Sequence, residues 1–197
     1  ENDIYFQSNS FQPERDLPYV NCMLEHCKTS HTYLECTQET LADMLYAAVD
    51  AKDMPGMTDV DASLLYFCSL VKKQNKVTLT GECADEIFGG YPWFYRPELM
   101  NRDGFPWSAD PAARTSILSD DVLRTLDLAE YSHARYEETL SHVPHLDGES
   151  PEEARRRDIG YLNIKWFMQT LLDRMDRTSM YSSLEARVPF ADHRIME

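Results

Sequence analysis

Residues 77–94, VTLTGECADEIFGGYPWF, decide how this chain is read. Val77, Thr78, Leu79 and Thr80 are β-branched or apolar and lie between charge and a glycine, which predicts a short buried strand. Gly81 ends it. Glu82, Asp85 and Glu86 follow at helical spacing, predicting three carboxylates on one face of a helix that opens at Cys83 or Ala84. Gly89 and Gly90 stop that helix. In α/β proteins, ligands sit at the carboxyl end of a strand such as this one.

Upstream, Asp16 to Lys28 predicts a helix capped by Asp16, with Pro18 in its first turn and Val20, Met23, Leu24 and Cys27 as its apolar stripe. His31 to Cys36 alternates like a strand. Thr37 is an N-cap, and Leu41, Met44, Leu45, Ala48 and Val49 line one face of a second helix. Pro55-Gly56 marks a loop over residues 53–60. Asp61 is expected to cap a third helix whose apolar set includes Leu64, Leu65, Phe67, Cys68 and Val71, with Lys72 and Lys73 suited to its C-terminal dipole. Helices alternating with strands predict a parallel sheet with crossovers. Only two strands are visible, which predicts that part of the sheet lies outside this chain.

Downstream, residues 96–150 read as loop-rich, broken by Arg96-Pro97, Phe105-Pro106-Trp107 and Asp110-Pro111. Residues 127–141 predict a helix. From Pro151 the chain turns strongly helical, with Glu152 and Glu153 at the positive end of the dipole. Ile159, Leu162, Trp166, Met168, Leu171 and Leu172 form its core face.

The chain has 197 residues, 34 of them acidic against 19 basic, for a net charge of -15. That balance argues against a nucleic-acid partner, which needs clustered Lys and Arg, and against anionic membranes. No apolar run approaches the roughly 20 residues of a membrane helix. Residues 1–11 are polar, do not open on Met, and are read as no signal peptide, so the chain reads as a piece of something longer. Residues 1–8, ENDIYFQS, resemble a protease-cleavage linker with a residue added at Asp3-Ile4; a native loop is the favoured reading. Cys22, Cys27, Cys36, Cys68 and Cys83 form no C-x-x-C pair, which predicts reduced thiols in a cytoplasmic protein. His142 and His145 are spaced like metal ligands but lack a carboxylate or thiol set, and read as a solvated loop.

Two constellations carry chemistry. In the first, Asp85 and Glu86 can hold Mg²⁺ while Glu82 faces the substrate, since clustered carboxylates repel unless a cation is near. Hard oxygens suit Mg²⁺, which bridges carboxylates to nucleotide phosphates. Thr80 and Gly81 would bring backbone close to that ligand, Gly81 because it has no Cβ. The plain alternative is a helix start with ordinary capping acids. In the second, residues 173–194, Arg174, Arg177 and Arg187 alternate with Asp173, Asp176, Glu185 and Asp192. Salt-bridged helix ends are the favoured reading, against arginines facing phosphate or carboxylate. Ser179, Ser182 and Ser183 lack a partnered histidine and are not read as nucleophiles. The seven glycines nowhere form a phosphate-cradling loop, so an ATP site would be half present.

Taken together, these stretches resemble the synthetase domain of glutamine-hydrolysing asparagine synthetases. Residues 80–91, TGECADEIFGGY, are similar to that family's S-G-E-x-x-D-E-x-F-G-G-Y, and residues 174–193, RMDRTSMYSSLEARVPFADH, to its R-x-D-R-x-S-M-x-x-S-L-E-x-R-V-P-F-L-D. The resemblance implies a partial ATP-pyrophosphatase-like (adenine nucleotide alpha hydrolase-like) α/β fold: residues 1–95 part of that domain without its phosphate loop, residues 96–197 its helical continuation. It implies a ligase that adenylates the side-chain carboxylate of aspartate with ATP and Mg²⁺. Ammonia from a glutaminase domain outside this chain would then displace AMP. It assigns Thr80, Gly81, Asp85 and Glu86 to the nucleotide, Asp85 to Mg²⁺ and Glu82 to catalysis, and it admits a homodimer. The pyrophosphate loop S-G-G-x-D-S is absent, so these residues alone are expected to be inactive. Where the family often reads T-T-x-R, this chain has Thr58, Asp59, Val60 and Asp61, which puts the aspartate acceptor in question. Cys83 stands where a small residue is usual and reads as a buried thiol. A related ligase acting on another carboxylate, as β-lactam synthetases do, and a non-catalytic scaffold are the alternatives.

Overall fold

A computed structural model describes residues 6–8, 14–108 and 115–196; the reading of residues 1–5 and the break at Asp110-Pro111 lie outside them. The fold is α/β, mostly helical, with one small parallel sheet. Contacts divide the chain into two compact units, Glu1–Thr80 with Asp173–Arg187, and Gly81–Leu172 with Val188–Glu197.

The first unit opens with α1, Leu17–Cys27. Lys28 ends it in the left-handed region, donating its N–H to the Leu24 carbonyl. The predicted stripe is only partly covered: Val20 and Leu24 are half-buried, while Met23 and Cys27 are exposed. Residues 31–36 are not a strand, contrary to their alternation. No described backbone offers them a ladder, and a strand cannot satisfy its N–H and C=O groups without one. Side chains tie the stretch down instead: the Tyr33 hydroxyl donates to Asn21 Oδ1 at 3.0 Å, and the His31 ring meets Tyr33 edge-on at 4.4 Å.

The Thr37 hydroxyl accepts from the Thr40 N–H at 3.1 Å and caps α2, Gln38–Asp43. The single helix expected here breaks at Met44, and α3 follows over Leu45–Lys52. α4, Thr58–Val71, begins three residues before Asp61. Asp61 is therefore not a cap: it lies inside the helix, 2% exposed. Ala48 and Ala51 of α3 pack on Ala62 and Leu65 of α4, the alanines allowing close helix approach.

Strand β1, Val77–Leu79, pairs in parallel with β2, Glu185–Arg187, with Val77 opposite Glu185 and Leu79 opposite Arg187. The expected burial fails on one face. Val77 is 41% and Leu79 70% exposed, because alternate residues share a face and no described element covers theirs.

The second unit has an aromatic core. Trp93, Met100 and Ile159 are buried, and Tyr91, Phe94, Trp107 and Phe167 pack on them. Tyr91 stacks on Trp93 at 4.5 Å, and Phe167 stands edge-on to both. The loop-rich region carries short helices, α6 at Pro97–Met100 and α7 at Asp120–Thr125, and then α8, Leu128–Leu140, where a helix is predicted. α9, Pro151–Leu162, starts with a full capping box between Ser150 and Glu153. A π-helical turn at Asn163–Phe167 leads into α10, Met168–Tyr181, and the fully buried Asn163 spends its amide on the Ile159 carbonyl at 2.8 Å. The predicted core face holds at Ile159, Leu162, Met168 and Leu171, whereas Trp166 is 38% exposed and donates its indole N–H to Thr139 Oγ1.

Candidate active site

Thr80 of the first constellation and Arg187 of the second meet where two neighbouring strands run side by side. The Thr80 N–H donates to the Arg187 carbonyl at 2.9 Å, and the Glu185 N–H to the Lys76 carbonyl at 2.9 Å. Residues more than a hundred positions apart are thereby held one strand spacing from each other, the Glu185–Lys76 bond at the amino ends of the two strands and the Thr80–Arg187 bond at their carboxyl ends. Thr80 is half-buried there. A Cβ placed on Gly81 would meet nothing within 4 Å among the described residues, so none of them demands glycine there.

The acidic turn follows. The Ala84 N–H reaches back to the Gly81 carbonyl at 3.3 Å, and Cys83 turns the chain at φ 75° before α5, Ala84–Phe88. A β-carbon in that left-handed region is strained, so Cys83 is locally over-determined by its surroundings. Its thiol is 1% exposed. Burial first, then the Glu86 and Glu82 carboxylates, push its pKa up to about 11. The burial of Cys83 agrees with the sequence reading of a buried thiol.

The three carboxylates do not share a face. The helix starts at Ala84, so Glu82 precedes it, half-buried. Asp85 and Glu86 are consecutive and so point about 100° apart around the axis. Asp85 is exposed, and Glu86 is 2% exposed. Among the described residues the three do not gather their oxygens within the 4.8 Å that would form a ligand set. Helical periodicity relates i to i+3 and i+4, and that rule does not extend to a residue outside the helix or to an adjacent pair.

Each carboxylate has its own surroundings. The Glu86 carboxylate accepts the Tyr91 hydroxyl at 2.6 Å, a charge-assisted bond inside the second unit. Burial and then that bond raise the Tyr91 phenol far above its usual range. Asp85 takes part in the helix stop: its carbonyl accepts from both the Gly89 and Gly90 N–H groups, at 2.9 and 3.0 Å. Its carboxylate lies over Gly90, where a Cβ would come within 2.0 Å of Oδ1. Gly90 is thus needed for that rotamer as well as for the stop. Tyr91 as the partner of Glu86 was not foreseen; its place directly after the glycine pair was the available signal.

In the second constellation Arg177 and Arg187 are both ion-paired. Arg177 donates to Asp173 Oδ1 at 2.7 Å and to Asp53 Oδ2 at 3.1 Å, and the Asp173 carboxylate holds its guanidinium above the ordinary value. Arg187 pairs with Glu185 at 2.8 Å and is exposed. Thr178 and Ser179 are fully buried and spend their hydroxyls on the Arg174 and Asp176 carbonyls. Ser183 accepts Lys72 Nζ at its carbonyl. Asp61 has an unforeseen role: it lies 3.9 Å from Nζ of the buried Lys52, which is also 3.9 Å from Asp173. Gly56 makes room for it, since a Cβ there would sit 2.2 Å from Asp61 Oδ2. His145 bonds Asp158 and His142 bonds the Glu138 carbonyl, so the two histidines have separate partners.

The family described as asparagine synthase matches residues 3–197. Over all 197 residues the chain is 52% identical to asparagine synthetase 3 (glutamine-hydrolyzing) of Bacillus subtilis strain 168. It spans 32% of that relative's length, about a third.

Proposed function

The chain belongs to the asparagine synthase family, and on that premise we propose that it is the nucleotide- and acceptor-binding part of an ATP-dependent ligase that forms asparagine in the cytoplasm. The observation that carries this reading is the parallel register of β1 and β2. It holds Thr80 of the first motif against Arg187 of the second. On this reading the two strands are part of a larger ATP-pyrophosphatase-type sheet, with residues 1–95 in that domain and 96–197 its helical continuation.

The proposed chemistry has two steps. An oxygen of the aspartate side-chain carboxylate attacks the α-phosphorus of ATP, and pyrophosphate leaves. Ammonia, supplied by glutamine hydrolysis elsewhere in the full-length protein, then attacks the acyl carbon, loses a proton and expels AMP. Thr80 and Gly81 offer a backbone edge to the nucleotide. Glu82, half-buried next to that edge in sequence, takes the proton from the attacking nitrogen. Asp85 fits Mg²⁺, which binds through one or two carboxylates and completes its shell with substrate phosphates and water. When bound, the ion would neutralise the departing pyrophosphate. Glu86 follows Asp85 in sequence as a further nucleotide-side acid, its carboxylate engaged by Tyr91. The alternatives, another acceptor carboxylate or a non-catalytic scaffold, are separated by the same assay.

That assay is pyrophosphate release by the full-length protein with ATP, Mg²⁺ and a panel of carboxylates. Aspartate-dependent release is expected. Glu82→Gln and Asp85→Asn should each lower kcat/KM by about 100-fold or more, as when a group acting on developing charge is removed. Release that survives both substitutions sinks the site assignment. Release only with another acid selects the alternative ligase, and release with none selects the scaffold. Residues 1–197 alone are expected to turn over no ATP.

A further inference from the structure

Away from the acidic turn, Asp103, His133 and Glu137 bring two carboxylate oxygens and an imidazole nitrogen within 4.8 Å of one another. His133 and Glu137 lie four residues apart on α8, Leu128–Leu140, and so stand over the same face. Asp103 reaches them from the loop after α6, Pro97–Met100. All three are exposed, and none is paired with a described Lys or Arg. The neighbouring Arg135 is spent on Glu138 at 2.8 Å and lies over the Tyr131 ring. Two carboxylates held together in this way repel each other unless a cation joins them.

The loop is bolted to the helix independently of these groups. Arg155 donates to the Met100 carbonyl at 2.7 Å and to the Arg102 carbonyl at 2.8 Å. Its third contact is the hydroxyl of the buried Tyr136, on α8 between His133 and Glu137, at 3.0 Å. Phe105, on the other side of Asp103, meets the Tyr136 ring edge-on at 5.7 Å. Asp103 is thus flanked on both sides by anchors to the helix that carries the other two groups. That is preorganisation of a ligand set rather than a chance approach of long side chains.

We propose that Asp103, His133 and Glu137 bind a divalent first-row transition cation, Zn²⁺ in the first place, with water completing the shell. One imidazole nitrogen and two carboxylate oxygens suit such an ion better than Mg²⁺ or Ca²⁺, which take oxygen sets. The bound ion ties the loop to α8 and stabilises the second unit.

Co²⁺ serves as the spectroscopic probe, titrated into the full-length protein in excess Mg²⁺, followed by displacement with Zn²⁺. One equivalent should bind with visible ligand-field bands and no thiolate charge-transfer band, which a site at the exposed Cys22 and Cys27 would produce. His133→Ala should abolish the signal, and Asp103→Asn and Glu137→Gln should each weaken binding tenfold or more. His142→Ala should bind like the parent. Zn²⁺ should raise the melting temperature of the parent and leave that of folded His133→Ala unmoved. Unchanged Co²⁺ binding in His133→Ala, a thiolate band, or the absence of saturable binding each overturns the proposal.

Discussion

The two units fill their interiors with different side chains. The first packs small residues, Ala48, Ala51 and Ala62 around Leu65, and beside them buries the Lys52–Asp61 pair. The second packs Trp93, Met100 and Ile159 within a layer of tyrosine, tryptophan and phenylalanine, and its buried acid, Glu86, is bonded by a phenol. An aromatic side chain removes far more apolar surface from water than an alanine, so the second unit carries a larger hydrophobic term per core residue. A buried ion pair adds little net stability but is costly to break. The contrast predicts a first unit that depends on electrostatic pairing and a second that depends on shape.

Three substitutions sharpen or break that contrast, measured by chemical denaturation of the full-length protein. Trp93→Ala should cost most, about 4 kcal/mol, because it opens a large cavity among Tyr91, Trp107 and Phe167. A loss under about 1 kcal/mol would show that the aromatic layer repacks and that shape is not what the unit depends on. Asp61→Ala should cost about 2 kcal/mol, because it leaves the buried Lys52 ammonium only the exposed Asp173 carboxylate, 3.9 Å away. Replacing Lys52 with Met and Asp61 with Leu together should recover most of that loss. If the double variant is as unstable as the single, the pair is not the liability argued here.

The smallest effect is at the start of α9. Ser150→Ala should cost about 1 kcal/mol through loss of the capping box. It should also change the pH dependence. The Ser150 backbone N–H and then its hydroxyl hold the Glu153 carboxyl below its ordinary value of 4.5. A depressed carboxyl stabilises the fold above its ordinary pKa, and that contribution is lost as pH falls through the folded value. Acid unfolding curves of the parent and of Ser150→Ala should therefore lie closer together in acid than at neutral pH, the remaining gap being the cap bond from the Glu153 N–H, which does not titrate. Curves that stay parallel would remove Glu153 from the account.

How much was legible beforehand follows from the same local rules. Thr37, Ser150 and Gly89 act as punctuation because their effect is completed within three or four residues, and the helices they bound were readable for that reason. Residues 31–36 have the alternation of a strand, but alternation describes side chains and says nothing about whether a partner backbone is present. Asp61 has the composition of a cap and ended up in a helix interior, because Lys52 lies one helix earlier to receive it. At the candidate site, Glu82, Asp85 and Glu86 were identifiable as a group. Their division into a half-buried, an exposed and a buried acid depended on where the helix began and on Tyr91.

Sequence alone was enough for the family resemblance, the acidic turn, its glycine stop and the strong helices of the second half. Each of these rests on residue types at short, fixed separations. Tertiary structure alone joined Thr80 to Arg187, placed Lys52 against Asp61, and set Asp103 beside His133 and Glu137. Those contacts form between separate elements, neighbouring helices in the case of Lys52 and Asp61 and elements far apart in sequence in the other two. They are chosen by backbone pairing and by the burial of apolar faces, whose cost and benefit no single stretch of chain contains.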